Sequence, residues 1–238
     1  MDKLVIKSFL FLRLLGLGRR VVITESHITV DRKGKVLKRF PVSEIIDFPK
    51  LKTGLLGAKL SFCTENTFFV VGWLKRSEAK KAFPYIEYLI KKRLVQTIKN
   101  ASDIFNKLAV FEYLRDSSIE ILQRRVFALI DRYRTSKSDW DKKLEKRSVE
   151  YLEHVSEFAP LDRYIRRLRR DYEESLMHQR CLFYDAVESN PLTEEQRRAV
   201  IRENDLNLVL AAAGTGKTSV IIAKVLDLID QGKANSSE

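Results

Sequence analysis

Residues 19–72 carry short runs of Val, Ile, Phe and Thr. Turn signals separate them at Asp31–Gly34, Phe40–Ser43, Gly54–Gly57 and Thr64–Asn66. "HITVD" and "KLSFC" alternate apolar and polar side chains, as strands with one buried face do. The pattern predicts about six or seven short antiparallel strands. The period then changes: Ala82, Tyr85, Ile86, Leu89, Ile90 and Leu94 fall at helical spacing, with Ser77 as N-cap and Glu78 in the first turn. This helix is expected to run to about Lys99, and a small curved sheet closed by one helix resembles a pleckstrin-homology barrel.

Residues 100–190 are helical in pattern, with segments predicted at about 101–113, 117–134, 136–156 and 161–188. Ile119, Leu122, Val126, Leu129 and Ile130 share one face; Leu161, Ile165, Leu168, Tyr172, Leu176 and Cys181 share another. The arginines between Arg163 and Arg170 are balanced by Asp171, Glu173 and Glu174, which reads as a solvated, ion-paired face; gripping phosphate or a partner is the alternative. At the other end of the chain, residues 1–18 are apolar but broken by Lys3, Lys7 and Arg13. They read as an amphipathic helix ending at Gly16 and Gly18. No uncharged stretch here is longer than Ser8–Leu12, which is too short to span a bilayer, and no small-residue cleavage site follows it.

Composition adds one asymmetry. The formal net charge is +12, and residues 1–98 hold 20 Lys and Arg against 8 Asp and Glu, so the whole excess lies there. Such a surface suits a polyanion, with a solubilising face, an acidic protein or anionic lipid as alternatives. Arg19, Arg20, Arg32, Lys33, Lys35, Lys38 and Arg39 crowd one end of the strands and are the candidate nucleic-acid patch. Phe68, Phe69 and Trp73 are expected in the core, with base stacking as the alternative. Cys63 and Cys181 form no metal or redox motif and fit a reducing cytoplasm. His27, His154 and His178 stand apart and suggest neither metal nor catalysis.

The last 49 residues carry the chemistry. Asn207–Leu210 reads as a buried parallel strand, "AAAGTGKT" follows, and "SVIIAKVLDLI" has the spacing of an amphipathic helix. The phosphate-loop spacing is met with Ala211 in place of the first glycine. Gly214 and Gly216 let the backbone curl, and the N–H groups from Ala211, Ala212 and Ala213 through Thr215 to Ser219 are candidates to face a phosphate. Lys217 would reach the β- and γ-phosphates, and Thr218 would place a hydroxyl at Mg²⁺. Upstream, "NPLTEEQRRAVI" opens a helix with Thr193 as N-cap and Gln196 at the capping-box position.

"NPLTEEQRRAVI" followed by "LVLAAAGTGKTSVIIAKVLDLI" resembles the start of the UvrD-like superfamily 1 helicase core. Leu192, Gln196, Ala199 and Val200 match its Q motif, in which the glutamine reads adenine; Thr193 departs from the more common Asn. "RVVITESHITVD", "FPVSEII" and "TFFVVGW" resemble, in order and type, the region that precedes this core in the bacterial helicase IV branch.

The resemblance implies an α+β chain in four parts: 1–18, an amphipathic helix; 19–99, a basic β domain; 100–189, a helical region; and 190–238, the incomplete start of a phosphate-loop α/β motor. It further implies ATP and Mg²⁺ as cofactors, single-stranded or forked DNA as partner, a cytoplasmic monomer, and hydrolase activity in a longer parent. The chain as given is expected to be truncated just after motif I and not to hydrolyse ATP. It lacks the acidic pair that binds Mg²⁺ and activates water in this family, so none of its residues is assigned a catalytic role. An RNA-polymerase-associated helicase-like factor and a stand-alone basic DNA- or protein-binding module are the alternatives.

Overall fold

The computed structural model describes residues 4–8, 10–108, 112–212 and 214–234, and is a mixed α+β architecture with two antiparallel sheets. The chain forms two compact units, neither of them continuous in sequence. Unit 1 gathers residues 1–102 and 129–154; unit 2 gathers 103–128 and 155–238.

In unit 1 the first sheet orders β1 (Leu4–Lys7), β2 (Arg20–Ile23), β3 (His27–Arg32) and β4 (Lys35–Pro41) as a meander. The second orders β5 (Lys50–Gly54), β6 (Gly57–Cys63) and β7 (Phe68–Leu74) in the same way. Isolated bridges Ser8–Leu74 and Ile45–Thr64 join the two sheets. Alternation sets the register: Val21, Ile23, Ile28, Val30 and Phe40 of the first sheet are buried, as are Leu60, Phe62 and Val71 of the second. Phe40 meets Phe62 and Phe69 edge-on at 5.6 and 5.5 Å.

The helix predicted over residues 1–18 is corrected here. Leu4–Lys7 is a strand paired with β2 in the register Leu4–Ile23 to Lys7–Arg20, and among the described residues of this stretch only α1 (Leu10–Leu14) is helical. Four residues are too few to show whether the apolar period is two or nearly four, and the pairing partner lies beyond a local window.

The helix predicted after the sheets is α2 (Arg76–Leu108), which runs past Lys99. It buries Ala79, Ala82, Ile86, Ile90, Leu94 and Ile98, a stripe at helical spacing. Unit 1 also takes α4 (Ala128–Lys143), bent at Ser136 (φ −116°, ψ 19°), and most of α5 (Lys146–Ser156). The bend is fastened to a loop. Asp47 accepts hydrogen bonds from Ser136 Oγ at 2.7 Å and Trp140 Nε1 at 2.6 Å, and Trp140 is fully buried, 6.3 Å edge-on from Phe48.

Unit 2 is helical. α3 (Asp116–Leu122) continues through one π turn, Gln123–Phe127, and is followed later in the chain by α6 (Leu161–Gln179), α7 (Cys181–Ala186), α8 (Glu194–Ile201) and α9 (Lys217–Asp230). The helix predicted over 101–113 falls partly on residues outside those described. Residue Arg115 does not cap α3 with its own side chain. Asn204 Oδ1 and Asp205 Oδ2, from the far end of the unit, accept from the N–H groups of Asp116 and Ser117 at 2.8 and 2.7 Å. Tyr184, Leu192, Val200, Ile201, Val220 and Ala223 form the core that holds α8 and α9 together.

Candidate functional site

The site in unit 2 begins with the start of α8. Thr193 is extended (φ −64°, ψ 163°), and its hydroxyl accepts from Gln196 N at 3.4 Å while Gln196 Oε1 accepts from Thr193 N at 2.8 Å. This is the capping box predicted from "LTEEQ". The box uses the oxygen of the Gln196 amide, so the nitrogen is free to point elsewhere. It donates to the carbonyl of Thr215 at 3.2 Å. The two motifs, 19 residues apart, thus meet directly.

The loop itself is left-handed at Gly214 (φ 77°) and Gly216 (φ 79°), a region that side chains disfavour. Gly216 is required twice. A Cβ there would lie 2.5 Å from Gln196 Nε2. Thr215 Oγ1 donates to Ala212 O at 2.8 Å, and Lys217 Nζ donates to Ala211 O and Ala212 O at 2.9 and 2.7 Å. The lysine ammonium therefore lies inside the loop's curl, held by carbonyls that an anion would replace as partner. Thr218 is exposed on the first turn of α9, Ser219 is half-buried, and Ala213 lies outside the described residues. The donor set fits a polyphosphate: a cation, two left-handed glycines and the N-terminus of a 14-residue helix converge there.

Val220 and Ala223 anchor α9, and Lys224 donates to the carbonyls of Val200 and Arg202, fastening α9 to the end of α8. Burial pushes the Lys224 ammonium below its usual value. Val220 is buried, whereas Ile221 and Val225 are open to solvent.

The strand predicted at Asn207–Leu210 does not form. These residues are irregular, and Leu208 and Leu210 are more than four-fifths exposed. A parallel strand needs a neighbour, and unit 2 has no other strand among the described residues.

Arg163, Arg166, Arg167 and Arg170, at helical spacing on α6, line the same cleft of about 1810 Å³ as Gln196, Gly216 and Lys217. The expected ion pairs exist, Arg167–Asp171 at 3.6 Å and Arg170–Glu174 at 3.8 Å, but they leave that face turned to the cleft. Helical spacing alone marked the common face; nothing in the sequence aimed it at the loop.

The basic residues of unit 1 divide. Arg20 is paired to Asp31 at 2.9 Å, and the Asp31 side chain is buried. Arg32 Nε donates to Gly16 O at 2.8 Å, and the Lys38 ammonium sits 5.3 Å from the Phe69 ring centre. Lys33 occupies the β3–β4 turn at φ 50°, while Lys35, Lys38 and Arg39 are exposed along β4, the edge of the first sheet. Arg19 and Arg32 open instead onto a second cleft, together with Lys52, Lys59 and Trp73. Neither lysine was singled out from the sequence. The core placement expected for Phe68 and Trp73 is corrected: they are 68% and 55% exposed, and Trp73 adopts φ 60°.

Among the described residues no cluster of His, Cys, Asp or Glu could hold a metal, and no helix is long and apolar enough to cross a membrane.

Residues 192–238, the segment that holds the capping box and the glycine loop, match the UvrD/REP helicase N-terminal domain. Over 67 residues the chain is 40% identical to DNA helicase IV of Escherichia coli (strain K12), an alignment covering 28% of this chain and 10% of that protein. The chain thus matches about a tenth of the length of this curated relative. No solved structure matches it.

Proposed function

We propose that residues 190–238 are the ATP-binding start of a UvrD-like superfamily 1 DNA helicase motor, and that the β-rich unit ahead of it is a pleckstrin-homology-like basic module serving the same protein. The contact between Gln196 Nε2 and Thr215 O carries this reading, because it couples an adenine-reading glutamine to a phosphate loop. The similarity of residues 192–238 to the UvrD/REP domain and the local likeness to helicase IV support it.

In this reading Lys217 and the N–H groups of Gly214, Thr215, Gly216 and Thr218 hold the β- and γ-phosphates of ATP, and the Thr218 hydroxyl takes part in holding Mg²⁺. Bound ATP supplies the phosphoanhydride whose hydrolysis drives such motors. Single-stranded or forked DNA is the polymer partner, a cytoplasmic monomer the working form, and the exposed cations Lys33, Lys35, Lys38 and Arg39 of β3–β4 the contact to its phosphates.

The test is titration of the chain with a fluorescent ATP analogue and Mg²⁺. Binding that is lost in Lys217→Ala and weakened in Gln196→Ala is expected. Equal binding by wild type and Lys217→Ala would sink the proposal.

A further inference from the structure

We infer that the second cleft in unit 1 is a docking site for an acidic peptide segment that carries apolar side chains. The cleft is a hollow of about 890 Å³ between the α1–β2 connection, the β5–β6 hairpin and the end of β7. Its floor and lip are apolar, formed by Leu12, Leu17, Leu55, Leu56 and Trp73. Leu55, at the hairpin tip, is fully exposed, and Leu17, Leu56 and Trp73 are each more than half exposed. The rim is cationic, with Arg19, Arg32, Lys52 and Lys59, and among the described residues no Asp or Glu lines the cleft.

Each feature narrows the occupant. Large aliphatic side chains left in water beside one another mark a surface that is covered in use. Four cations with no carboxylate among the described lining residues set the sign of the partner as negative. That also argues against a second copy of this chain, which would bring the same cations to face them. Leucines are poor platforms for nucleic-acid bases, and Trp73 is the sole aromatic among the described residues that line the cleft. The hollow is of a size that takes a short run of side chains, and a lipid surface is distinguished from a peptide by the vesicle arm of the test. The Trp73 backbone is strained at φ 60°, a conformation that costs energy and is retained where the surroundings or a function demand it. Here it leaves the indole facing the hollow instead of the core.

The test uses the 238-residue chain and a short fluorescein-labelled peptide alternating Asp with Leu and Phe, followed by anisotropy. The chain has two tryptophans, and Trp140 is buried, so a blue shift of emission on binding reports Trp73. Lys52→Glu/Lys59→Glu and Leu55→Ser/Leu56→Ser change exposed side chains, and far-UV circular dichroism checks that both variants keep their fold. Each is expected to weaken the peptide by about tenfold or more. Trp73→Phe should keep most of the affinity and lose the emission shift. The inference is overturned if the acidic peptide does not bind, if its Lys-for-Asp counterpart binds as well, or if both double variants bind unchanged. It is likewise overturned if the peptide fails while oligo-dT or phosphatidylglycerol vesicles bind with sensitivity to these substitutions. None of these residues belongs to the glycine loop, so nucleotide binding by Lys217 can fail without touching this result.

Discussion

Arg180 Nε lies 2.6 Å from the carboxylate of Asp227, which is fully buried, and Arg180 Nη2 reaches Asp230 at 2.7 Å. One guanidinium at the start of α7 thus grips two carboxylates one turn apart on α9, and Gln231 Nε2 supplies a further bond to Asp227 at 2.7 Å. Arg180→Ala should leave Asp227 as a buried, under-compensated charge and destabilise unit 2 by about 3–5 kcal/mol. Arg180→Met/Asp227→Leu should cost much less. Urea unfolding of the three proteins distinguishes them; equal losses in the single and double variants would show that the pairing is not what matters.

Gly216→Ala should be damaging for two separable reasons. The left-handed φ costs about 1–2 kcal/mol for a residue with a Cβ, and the Cβ would strike Gln196 Nε2. Adding Gln196→Ala should relieve the second effect and leave the first. Thermal unfolding of the single and double variants should therefore show partial, incomplete recovery.

The capping box is worth a smaller, local amount. Thr193→Ala removes the acceptor for Gln196 N and should cost about 1 kcal/mol. Thr193→Asn, which keeps an acceptor, should be nearly neutral in the same denaturant titration.

In unit 1, Asp47→Ala would strip the partner from Trp140 Nε1 and from Ser136 Oγ in one step. The indole N–H would then be buried and unpaired, at a cost of about 1–3 kcal/mol. A red shift in the Trp140 emission together with a lower urea midpoint is the expected result.

Acid should loosen the join between α3 and α6. Asp116 accepts hydrogen bonds from Arg169 Nη2 and Asn204 Nδ2, both at 2.7 Å, and the Arg169 bond chiefly holds its carboxyl below the usual value of 3.8. A carboxylate depressed in the folded state contributes stability above 3.8, and that contribution is lost as pH falls through the folded value. Asp116→Asn should therefore flatten the acid limb of the stability profile below pH 3.8 and leave its shape at neutral pH unchanged.

Local rules recover what local physics decides. The capping box is a four-residue signal, and Thr193 and Gln196 satisfy it both in the sequence and in space. The strands from Arg20 to Leu74 and the buried stripe of α2 follow from side-chain period. The failures are equally specific. Leu4–Lys7 is a strand because β2 lies beside it, and Asn207–Leu210 is irregular because no strand of unit 2 lies beside it among the described residues. α3 is capped by Asn204 and Asp205, 88 residues away, a relationship that no window along the chain contains. The site divides the same way: the glycine loop was legible, while the α6 arginines beside it and the Lys52–Lys59–Trp73 hollow depend on tertiary placement.

The interleaving of the two units bears on how the chain comes to be folded. The β-rich unit is unfinished when residue 102 leaves the ribosome, because Trp140 and the residues around it, which it needs, come after a 26-residue excursion into the other unit. Folding along the nascent chain cannot proceed one unit at a time. The seat beside Phe48 stays unfilled until Trp140 has been made.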